Sequence, residues 1–114
     1  MNYMANEYDY EDDLDILYVY NNPAGEVVVS NLSFGTIVID IGQSGRVLGV
    51  EIDCASKIFR LPIEQLKNLK VAKVEVMKVG NMITFGVALS TAIKEYNFQF
   101  AVPQQIDRLP MAVF

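Results

Sequence analysis

Histidine and tryptophan are absent from this chain, cysteine occurs once, and nine Lys and Arg face fourteen Asp and Glu. Each shortage excludes something. Without histidine there is neither the commonest general base near neutral pH nor the commonest transition-metal ligand. A lone Cys54 cannot form an internal disulfide. It has no histidine to activate it, so a small buried apolar role is expected over a reactive thiol, although a helix start could lower its pKa. Ser30, Ser33, Ser44, Ser56 and Ser90 sit in no nucleophile-elbow context, and Gly42 and Gly45 lead into a strand rather than a phosphate-binding helix. A net charge of −5 opposes binding to nucleic acid or to an anionic membrane surface. No apolar run approaches the roughly twenty residues that span a bilayer. The N-terminus shows neither a basic region nor a long apolar stretch, and the expectation is a cytoplasmic protein.

What is present is apolar: 52% of the 114 residues are hydrophobic. One domain, residues 1–114, can bury about two-thirds of its unfolded surface without staples. Only 20% of the residues are charged, too few to cover the exterior. An apolar surface therefore meets another chain, and a homodimer or other homo-oligomer is the expected state, with a protein partner as a further possibility.

Residues 35–53 organise the chain as a β-hairpin, two β-branched runs flanking Gly42-Gln43-Ser44-Gly45. An even-numbered turn sets Ile39 opposite Leu48, Ile37 opposite Val50 and Gly35 opposite Ile52. That register gathers five large aliphatics on one face. It leaves Thr36, Val38, Asp40, Val47, Glu51 and Asp53 on the other. An odd turn scatters the aliphatics.

Before this hairpin, residues 1–13 read as an acidic, frayed leader. Residues 14–20 and 26–32 read as a second hairpin across the turn formers at 21–25. After it, 54–59 suits a helical turn, and 62–69 reads as the one real helix, with Pro62 at its start and Ile63, Leu66 and Leu69 forming an apolar stripe. Residues 71–79 and 82–89 form a hairpin about Gly80-Asn81. Its pairs are Val76 with Phe85, Val74 with Val87, Ala72 with Leu89 and Lys78 with Ile83. Tyr96, Phe98, Phe100 and Val102 alternate with polar residues in a last strand ended by Pro103. Residues 104–114 make an apolar tail that must dock. The fold class is α+β, mainly antiparallel hairpins of about seven strands with one short helix near 62–69.

Tyr8-Asp9, then Asp15-Ile16-Leu17-Tyr18-Val19, then Gly35-x-Ile37-Val38-Ile39-Asp40, then Gly45-Arg46-Val47-Leu48-Gly49-Val50-Glu51-Ile52 followed by Ala55-Ser56 make residues 8–57 resemble the small prokaryotic domain of unknown function family 2283. That resemblance implies no established activity and supplies no catalytic residue. The chain departs from the family by adding residues 58–114.

No catalytic residue and no cofactor are expected, and the protein reads as a non-enzymatic assembly or interaction module. The alternative is a divalent-cation or small-ligand binder. Asp9, Glu11, Asp13 and Asp15 alternate, so on an extended segment they project to one side. Hard oxygen ligands there suit calcium or magnesium, joined by Glu51 or Asp53. The plainer role of these acids is to keep an edge strand from pairing with strangers. Asp40 and Glu51 share a face, but the expected register does not set them opposite each other. Arg46 and Arg60 read as solvated, and the Tyr96, Phe98 and Phe100 stripe as core or dimer face.

Overall fold

The alternating segments form eight antiparallel strands in a computed structural model that describes residues 7–103. They are β1 (Glu7–Glu11), β2 (Ile16–Tyr20), β3 (Val28–Phe34), β4 (Ile37–Gly42), β5 (Val47–Asp53), β6 (Val71–Val79), β7 (Met82–Ser90) and β8 (Glu95–Pro103). Two five-residue helices, α1 (Ala55–Phe59) and α2 (Ile63–Lys67), join the halves. The fold is α+β. One sheet has the order β1-β2-β5-β4-β3 and the other β6-β7-β8. Residues 1–6 of the acidic leader and the apolar tail 104–114 lie outside the described residues.

The inner faces of both sheets share one core. Leu17, Ile39 and Ile52 from the first sheet, Phe59 and Leu66 from the helices, and Ile83, Phe85 and Leu89 from the second are all buried within it. Burying an aliphatic or aromatic side chain of this size stabilises by about 1.5–3 kcal/mol, so this shared core holds the two sheets together. Tyr8 and Tyr10 pack on it from β1, and the Tyr8 hydroxyl donates to the Leu69 carbonyl. Residues 7–11 are therefore an edge strand, not a frayed leader.

The hairpin about Gly80-Asn81 has the expected register, because a two-residue turn leaves no freedom in the pairing. The organising hairpin differs. Its loop is odd: Gly42 N–H bonds the Arg46 carbonyl around Gln43, Ser44 and Gly45, and Gly45 takes φ +90° where a side chain is strained. A bulge then adds one residue. Asp40 lies opposite Gly49 but Ile41 opposite Val47, so Leu48 is the extra residue and the register beyond becomes Ile39 with Val50 and Ile37 with Ile52. Odd loop plus bulge restores the parity that the aliphatic face requires. Val47 consequently packs on the core, and Leu48 is buried outside it.

Two other expectations are corrected. Residues 14–20 and 26–32 do not pair with each other; β2 lies between β1 and β5, and β3 pairs only with β4. Burial decides this, since β2 is apolar enough for a central position. The helical segment is shorter than expected and is accompanied by α1. Pro62 caps α2, Leu66 and Leu69 reach the core, and Ile63 stays 40% exposed.

Candidate functional site

Strand order brings the polar residues of the first sheet together on its outer face. Leu17, Val19, Ile37, Ile39, Val50 and Ile52 point inward, so the alternate positions point outward. One row across the sheet reads Asp9, Tyr18, Glu51, Val38 and Ser33, and the next reads Glu7, Tyr20, Gly49, Asp40 and Asn31. Glu11 and Asp53 extend it. These strand positions include no base, and a field of one sign covers the face.

Gly49 sets its geometry. Tyr18 on β2 lies diagonal to Gly49 on β5, and its ring leans over that glycine where any Cβ would collide with the phenol. The hydroxyl thereby crosses β5 and donates to Asp40 Oδ2 on β4 at 2.7 Å. Asn31 Nδ2 on β3 donates to the other oxygen at 2.5 Å, so this carboxylate is held from two sides. The Tyr20 ring stacks on Tyr18 with centroids 5.1 Å apart.

Burial pushes the Tyr18 hydroxyl well above its ordinary pKa, helped by its bond to Asp40 and the charges of Asp40 and Glu51. Glu51 is also raised: burial is the main cause, followed by a hydrogen bond with Asp53 and the charges of Asp53 and Asp40. The neighbouring carboxylates thus make ionising Glu51 unfavourable on this face. One oxygen of Asp53, Oδ1, is buried with no hydrogen-bond partner among the described residues. The arrangement can hold a cationic group or a proton. It contains no nucleophile with a base beside it.

The acids singled out as metal ligands go to separate places. Asp9 and Glu11 lie on the outer face of β1, with Asp9 opposite Tyr18 in the register, and Asp13 is exposed in the following turn. Asp15 turns inward at φ +55°. Its carbonyl accepts Ala55 N–H at 3.0 Å, and its carboxylate accepts Ser56 N–H at 3.0 Å, Ser56 Oγ at 2.7 Å and the Tyr10 hydroxyl at 2.6 Å. Asp15 therefore satisfies N-terminal donors of α1 from the distant turn between β1 and β2. Burial alone raises its pKa, but the bonds from Tyr10 and Ser56 and the charge of Lys57 outweigh it and the net shift is downward. Among the described residues no three His, Cys, Asp or Glu gather as a metal-holding group.

Cys54 is exposed rather than buried, in a left-handed conformation before α1. Arg46 and Arg60 are exposed, while Tyr96, Phe98 and Phe100 pack on the core. Asp40 with Glu51 and Asp53 was legible from alternation within one hairpin. Tyr18, Tyr20 and Asn31 were not, because nothing local reveals which strands flank β4 and β5.

Residues 7–56 match the family model described as protein of unknown function (DUF2283), so the resemblance covers the first sheet and the start of α1. A relative from Methanosarcina mazei named "Putative hypoxanthine phosphoribosyltransferase" is 27% identical over 89 residues, covering 76% of this chain and 71% of the relative. No solved structure matches the chain significantly. No described helix is long and apolar enough to cross a membrane.

Proposed function

We propose that the protein is a non-enzymatic assembly module that associates with a second copy of itself. One observation carries the reading: Val27, just before the uncharged strand β3, and Val28 and Val29, which begin it, stand 66%, 42% and 57% exposed in succession. An apolar run of this kind is costly in water and marks a contact surface. The acidic outer face disfavours self-association by face-to-face stacking, because two such fields repel. Sedimentation at micromolar concentration tests the reading, with a dimer expected and weakened self-association in a Val27→Ser, Val29→Ser double variant. A wild-type chain that stays monomeric at every concentration overturns it.

A second reading, binding or transfer on a small ligand, is favoured by the printed name of the Methanosarcina relative. The acidic face opposes it, since it repels phosphate-bearing compounds. Incubation with hypoxanthine and phosphoribosyl diphosphate decides: nucleotide product supports this reading, and its absence together with no thermal shift removes it.

A further inference from the structure

The negative excess of the chain is concentrated rather than spread. The five strands of the first sheet hold Glu7, Asp9, Glu11, Asp40, Glu51 and Asp53 and no Lys or Arg. The other eight of the fourteen acids are matched by nine bases, so the rest of the molecule is close to neutral. The net charge of −5 therefore stands on one sheet face, and the helices and the second sheet share the core on the opposite side of it.

Within that field Tyr18 and Tyr20 form an aromatic ridge along β2. Asp9 and Glu51 stand on either side of Tyr18, and Glu7 stands beside Tyr20. The rings stack with centroids 5.1 Å apart and the Tyr18 hydroxyl is tied to Asp40, so the ridge is set before any ligand arrives. Asp53 Oδ1, on the same face, is an acceptor that the described residues leave without a donor.

We infer that this face docks an extended, arginine-bearing segment of another protein, laid along β2. The inference does not rest on self-association. Charge complementarity selects the occupant, because a field of one sign draws its opposite and the near-neutral remainder of a second copy offers no basic counterpart. A metal ion is a poor match, since its ligands must converge and no three acids gather among the described residues. A guanidinium fits: its plane stacks on a phenol ring while its N–H fork reaches carboxylates on the neighbouring strands. Tyr18 and Tyr20 are two positions apart, about 6.8 Å along a strand, which is the spacing at which an extended segment presents alternate side chains. Arginines at alternate positions of the partner thus meet both rings.

The experiment is calorimetric titration of the full chain, at low ionic strength, with a peptide of alternating arginine and glycine, its lysine counterpart and spermidine. The arginine peptide should bind saturably and more tightly than the lysine peptide. Glu7→Gln, Asp9→Asn and Glu51→Gln together should weaken it about tenfold. The same loss of charge away from the face, by Asp13→Asn, Glu64→Gln and Glu95→Gln, should leave affinity within about twofold. Tyr20→Leu should erase the preference for arginine over lysine with circular dichroism unchanged. No saturable heat with the arginine peptide overturns the inference. Equal losses in the two triple variants overturn it as well, because they mean attraction to net charge alone. So does an arginine preference that survives Tyr20→Leu. Spermidine binding as tightly as the arginine peptide makes the face a polyamine site and overturns the docked segment. If the first triple variant fails to fold, Asp9→Asn compared with Asp13→Asn decides in its place. A chain that proves monomeric overturns self-association and leaves this inference standing.

Discussion

Tyr18 reaches over an intervening strand to hydrogen-bond Asp40: the two residues lie on β2 and β4, with β5 between them, and their atoms are 2.7 Å apart. The bond exists because Gly49 offers no side chain in its path.

Gly49→Ala should therefore displace the Tyr18 ring and break that bond, costing about 1–3 kcal/mol in urea denaturation. Gly86→Ala on β7 is the control. A Cβ there meets nothing within 4 Å, so the change should be neutral or stabilise by about 0.4–1 kcal/mol. Equal losses at the two sites would show that strand glycine itself, not the crossing phenol, sets the cost.

Glu51 should make the fold less stable as pH rises. Burial, then the hydrogen bond with Asp53 and the charges of Asp53 and Asp40, raises its pKa above the ordinary 4.5. A group raised in the folded state stabilises fully below its unfolded value and loses that contribution as pH climbs through the folded one. Glu51→Gln cannot ionise. It should raise the denaturation midpoint near neutral pH, with the gain closing toward about pH 4. A gain that is constant across that range contradicts the linkage.

Asp15 should behave in the opposite sense. Its pKa is lowered from 3.8, so its contribution is present above that value and is lost as pH falls through the depressed one. Asp15→Ala removes the carboxylate that caps α1 from β2's side and should cost about 1–2 kcal/mol at neutral pH. The penalty shrinks in acid. Hydrogen exchange at Ser56 N–H should accelerate in the variant, and unchanged protection would show that the helix start does not depend on this side chain.

Calorimetric titration with calcium or magnesium should give no saturable heat at millimolar ion. Both Asp15 oxygens already accept protein donors, and among the described residues no three acids gather to hold an ion. A saturable signal that Asp9→Asn with Glu11→Gln abolishes would restore the acidic segment as a hard-cation site.

Much of this architecture is local in origin. Alternation at 71–79 and 82–89 with a two-residue turn leaves one register, and Val76 meets Phe85 as the pattern requires. Pro62 and the apolar positions Leu66 and Leu69 locate a helix. The odd loop at Gln43-Ser44-Gly45 was harder, because its effect is cancelled by a bulge at Leu48 whose only sequence trace is the adjacent Gly49.

Residue order by itself determined which side of each strand is apolar, where the chain turns, and that bases are too few to neutralise the acids. These follow from nearest-neighbour chemistry: a pleat of period two, a glycine at positive φ, a proline without N–H. Tertiary structure alone decided that β5 lies between β2 and β4, that Asp15 caps a helix 41 positions away, and that β3 is left at the rim. Those outcomes depend on which long-range pairings bury the most surface together, a competition among whole strands that no short stretch encodes.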